Sequence, residues 1–78
     1  MIEALLLVAL LAGGMAIVAA ARSLVRVIIG AEVATMAGIW GAALSGDLSL
    51  VAAATVAGVA ETVLMVATLF RAAREGYV

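Results

Sequence analysis

The sequence has no cysteine, no histidine and no proline. Without cysteine there is no disulfide and no thiol nucleophile, and without histidine as well the usual zinc ligands are missing. Without proline nothing forces a helix to kink, although eight glycines permit bends. Positive charge is scarce too. Four arginines and a formal net charge of -1 leave no basic patch for nucleic acid. No Ser/His/Asp set, metal cluster or phosphate loop can be assembled, so the chain is not expected to be catalytic by itself. Charged residues make up 12% of the 78, about half the share usual in soluble domains. What the chain does have is apolar surface. At 69% apolar residues, it carries more than a soluble chain of this length can bury. Its expected solvent is a lipid bilayer.

The pattern predicts an all-α membrane protein, a single domain over 1–78 with three antiparallel transmembrane helices at about 2–21, 24–45 and 48–70. A run of about 20 apolar residues spans a hydrocarbon core of roughly 30 Å. Arg22 and Arg26 mark the first boundary, because two arginines so close together snorkel at a helix end and are costly at mid-bilayer. Ser45-Gly46-Asp47 has the chemistry of a short turn. Arg71 and Arg74 close the third span. Met1-Ile2-Glu3 lacks the positive region of a secretory signal, so the first run is expected to stay in the mature protein. All four arginines fall on one side of a three-span layout, with Glu3 and Asp47 on the other. The positive-inside rule then places the N-terminus outside and the C-terminus in the cytoplasm of a multi-pass protein of the cell membrane. Trp40 and Tyr77 sit where interfacial anchors belong.

Two carboxylates interrupt the apolar runs. Glu32 lies in the second span, roughly 9 Å beyond Arg26 along a helix. Glu61 lies in the third, roughly 15 Å in from Arg71 on the same side. Both therefore fall at broadly similar, mid-membrane depths. Helical spacing surrounds Glu32 with Ile28, Ile29, Thr35, Met36 and Ile39, and Glu61 with Ala57, Gly58, Leu64, Met65 and Thr68. Thr35, Thr68 and Arg26 are the candidate supporting polar groups. Intramembrane carboxyls are costly and usually mark ion or proton paths. Apolar surroundings disfavour a carboxylate's charge, and a carboxyl that exchanges between its neutral and ionised forms carries protons. Two at one depth on adjacent helices form a lateral proton path if water bridges them. The competing role is structural, with each protonated Glu hydrogen-bonded to another helix or subunit.

Small residues recur at Gly30, Ala34 and Gly38, and at Ala54 and Gly58, with the spacing that lets helices pack closely. Gly13-Gly14 reads either as another close contact or as a local bend. Three short helices cannot enclose a water path, so the chain is expected inside a larger membrane complex.

The stretch Arg22-Ser23-Leu24-Val25-Arg26-Val27-Ile28-Ile29-Gly30-Ala31-Glu32 resembles the second-helix motif of the NuoK family, small membrane subunits of respiratory complex I. Ala57-Gly58-Val59-Ala60-Glu61, with Phe70-Arg71 further on, resembles that family's third-helix segment and basic end. The likeness covers nearly the whole chain. It implies a subunit of the complex I, Mrp antiporter and membrane-bound hydrogenase superfamily, with Glu32 and Glu61 at the positions of two carboxylates of the proton-translocation path. It implies antiporter-like and NuoJ-like membrane partners. Iron–sulfur or other redox centres would sit in partner subunits, and this chain would bind no cofactor. Ala31 stands where the family has Leu, Thr35 and Met36 stand near a missing Asn, and the second loop is short. These departures leave room for a hydrogenase-type or Mrp-type relative. Mrp subunits of this kind often lack the second-helix carboxylate, so Glu32 favours the redox-driven side.

The C-type small subunit of an Mrp cation/proton antiporter is one alternative, and an ATP synthase rotor c-subunit is another. The rotor reading needs a two-helix hairpin with a polar Arg-containing loop, and the loop at Gly46 has no Arg. It would also bury Arg22, Arg26 and Glu32 within one helix. A structural accessory protein is a third class. A small multidrug exporter would have four spans and a first-helix Glu within the membrane, and this chain has neither.

Overall fold

A computed structural model describes residues 1–77. It contains three helices, α1 (Ile2–Ala20), α2 (Leu24–Ser45) and α3 (Leu48–Glu75). Each is long and apolar enough to cross a membrane. At about 1.5 Å per residue α1 is roughly 28 Å long and α3 roughly 42 Å. The third helix continues past Phe70 through Arg71 and Arg74 to Glu75, so it is longer than a hydrocarbon core of about 30 Å.

Local chemistry sets the breaks. Ala21 is extended, and Ser23 caps α2 by accepting a hydrogen bond from the Arg26 backbone N–H at 3.3 Å. At the other end Gly46 takes the left-handed conformation, φ +75°, that stops a helix at little cost for glycine. Asp47 follows at once as the next N-cap, its Oδ1 accepting from Ser49 N–H at 2.9 Å and Leu50 N–H at 3.2 Å. One glycine and one aspartate therefore make the second turn.

The helices form a flat layer. α1 and α3 each pack against α2, and among the described residues they do not contact each other. The Cα envelope measures 44 × 25 × 9 Å. Buried residues are all small: Gly14, Gly30, Ala37, Ala42 and Gly58. Large apolar side chains such as Leu5, Leu6, Val59 and Leu64 point outward. This is the reverse of a water-soluble core. Among lipid tails large side chains gain little by leaving the surface, and helices associate where small residues bring backbones together.

The closest approach is between α1 and α2. A Cβ on Gly14 would lie 2.7 Å from Ala34 N, and one on Gly30 would lie 2.8 Å from Gly14 O. Nearer the Gly46 turn, Leu7 covers Gly41. Gly13 has open space beside it. The Gly13-Gly14 pair therefore contributes one close contact, through Gly14, and α1 remains one unbroken helix.

Candidate functional site

Across the α2–α3 seam, Gly58 packs against Thr35 and Ile39. A Cβ there would meet Ile39 Cδ1 at 3.1 Å and Thr35 Cγ2 at 3.3 Å. One helical turn along α3 from Gly58 is Thr62. Its hydroxyl lies 3.1 Å from Glu32 Oε1 and 3.0 Å from Oε2. The same hydroxyl lies 2.9 Å from its own helix's Gly58 carbonyl oxygen. This tie fixes the register of α2 on α3, and it brings the Glu32 carboxylate to the level of the residue next to Glu61.

The two carboxylates open on different sides of the seam. At about 100° per residue, Glu61 and Thr62 flank Gly58 to either side. Glu32 lines a groove of about 270 Å³ with Met36 of α2 and with Thr55, Val59 and Thr62 of α3. Glu61 lines a broader trough of about 510 Å³. The trough exists because α1 and α3 stand apart, and its floor is Ala31, Ala34 and Gly38 of α2. Thr35 and Ile39 border both cavities, so they form the partition between them. Glu32 is half-buried and Glu61 is exposed in the isolated chain.

The other residues singled out in the sequence take distinct places. Thr35 donates to the Ala31 carbonyl at 2.9 Å within its own helix, so its hydroxyl is already used. Thr68 does the same with Leu64 at 2.8 Å, and it lines neither cavity. Arg26 is exposed, and among the described residues it makes no ion pair with Glu32. Gly30, Ala34 and Gly58 lie at helix contacts, whereas Gly38 faces open space in the trough. Thr62 is the polar partner that sequence spacing passed over. Its neighbour in space is on another helix, so a search along each helix around its own Glu does not reach it. One signal was available: Thr62 is four residues from Gly58, on the face where that glycine packs.

Chemically, the site offers one carboxyl tied to a hydroxyl in a narrow groove, and a second carboxyl in an apolar trough. Among the described residues no cluster can hold a metal ion. Set beside known protein families, curated proteins and solved structures, the chain matches none. The class that the fold defines is a small all-helical protein with three candidate membrane spans.

Proposed function

We propose that this chain is a small integral-membrane subunit of a complex I-like, redox-driven ion-pumping complex, and that Glu32 and Glu61 belong to its proton-translocation path. The observation that carries the reading is the Thr62 tie. It sets the Glu32 carboxylate level with Glu61 on an adjacent helix. The chain thereby presents one carboxylate on each side of its α2–α3 seam. A layer lying between two larger membrane subunits would offer each neighbour one proton-carrying group. The resemblance of the segments around both Glu residues to the NuoK family supports the same assignment.

In this reading the helices are antiparallel, the N-terminus is outside and the C-terminus is cytoplasmic. Contacts of Leu7 with Gly41 and of Val18 with Gly30 agree with opposed directions of α1 and α2. The four arginines then gather on the cytoplasmic side. The absence of native cysteine makes a direct test clean. In intact cells a membrane-impermeant thiol reagent should label Asp47→Cys and leave Arg74→Cys unlabelled until the membrane is opened. The reverse pattern would invert the topology.

The assignment itself is tested by gentle purification of the tagged protein and mass spectrometry of its companions. Antiporter-like subunits together with iron–sulfur or hydrogenase-like proteins are expected. Antiporter-like subunits alone would make it part of an Mrp-type exchanger. A homo-oligomeric ring with ATP synthase subunits would overturn both the three-span layout and the proposed role.

A further inference from the structure

The Thr62 hydroxyl has one hydrogen and three acceptor oxygens within reach: Glu32 Oε1, Glu32 Oε2 and the Gly58 carbonyl. It can donate to only one of them at a time. We infer that Thr62 is a positioning residue whose hydroxyl reverses direction with the protonation state of Glu32. This rests on reading Glu32 as a proton-carrying group.

The two states follow from donor and acceptor counts. When Glu32 is ionised it accepts, and Thr62 donates to it. When Glu32 is protonated its own O–H donates to Thr62 Oγ1, and Thr62 turns its hydrogen to the Gly58 oxygen at 2.9 Å. Every polar hydrogen is used in both states, and a rotation of one hydroxyl separates them. An unmade hydrogen bond is expensive in an apolar setting, so a partner that serves either form keeps Glu32 seated throughout its cycle. Among the described residues, none that lines the groove with Glu32 is titratable. From α2 the lining side chains are Thr35, Met36 and Ile39, and from α3 they are Thr55, Val59, Thr62 and Val63. Glu61 opens into the other cavity.

The arrangement also sets a limit. The oxygen beyond Thr62 is a backbone carbonyl, which holds a hydrogen bond but does not take up and pass on a proton. A proton leaving Glu32 therefore exits through the groove. Thr62 holds the carrier in place and is not a link in the path.

Infrared spectroscopy of the full-length protein in lipid, titrated across pH, reads this directly. Glu32→Gln identifies the C=O band of protonated Glu32. Thr62→Val keeps the shape of the side chain and removes the hydroxyl, so that band should move to higher wavenumber. Thr62→Ser should restore the parental position. A band unmoved in Thr62→Val, or no protonated Glu32 at any pH, would overturn the inference. The spectra do not depend on turnover. A shifted band in a chain whose Glu32→Gln form pumps normally would leave the hydroxyl reversal standing and remove the proton-path reading.

Discussion

Glu32→Gln and Glu61→Gln should each assemble normally and lose coupled pumping, by on the order of a hundredfold, the scale on which a positioned proton-transfer group matters. The argument differs at the two sites. The amide introduced by Glu32→Gln keeps an oxygen that accepts from Thr62, so the α2–α3 tie at 3.0–3.1 Å survives. What it loses is the exchangeable carboxyl proton. Among the described residues Glu61 has no hydrogen-bond partner, and its side chain opens into the trough. Glu61→Gln therefore disturbs nothing within the chain. Turnover-driven proton uptake into inverted vesicles measures the loss, and recovery of the intact complex by size exclusion checks assembly. Pumping at the parental rate by the double Gln variant would make both groups packing residues and the chain a structural accessory. Glu32→Ala adds a contrast. It removes both the proton and the tie, so the seam should weaken in addition.

The two breaks in the chain were legible because each is a chemical interruption in an apolar run. Ser23, Gly46 and Asp47 act locally, through caps and turns that need no tertiary context. The flat layer was not legible. These helices are apolar on nearly every side, so no amphipathic stripe says which face meets which helix. Gly13-Gly14 read as a close contact or a bend, and that Gly14 meets Gly30 follows only from docking α1 on α2. Gly38 shares the spacing of Gly30 and Ala34, yet it faces the trough, because α1 and α3 leave that strip of α2 uncovered. Thr62 was missed for a related reason. Its role belongs to a pair of helices, and the spacing rules applied within one helix. Placing Glu32 and Glu61 on different sides of the seam likewise required the register that Thr62 sets.

Gly30→Leu should detach α1 from α2. Even a Cβ at this position would lie 2.8 Å from Gly14 O, from Val18 N and from Val18 Cγ2. Two of these three atoms are backbone, which no rotamer change can move away. The helices must part, and alanine alone should cost about 1–3 kcal/mol, as overpacking typically does. Leucine adds three more carbons and should exceed what this seam can absorb, since the crossing brings backbone against backbone at Gly14, Gly30 and Ala34. The Leu7–Gly41 contact supplies a reporter. A Leu7→Cys, Gly41→Cys pair in this cysteine-free chain should crosslink on mild oxidation, because Leu7 Cδ1 lies 3.0 Å from where the Gly41 Cβ would be. Adding Gly30→Leu should abolish the crosslink, and adding Gly13→Ala or Gly38→Ala should leave it, since nothing lies within 4 Å of either. A crosslink unchanged by Gly30→Leu would mean that the Gly14–Gly30 crossing does not hold α1 in place. Gly38→Ala then serves a second purpose. If it keeps the crosslink but lowers recovery of the larger complex, the trough beside Glu61 is a surface that a neighbouring subunit occupies.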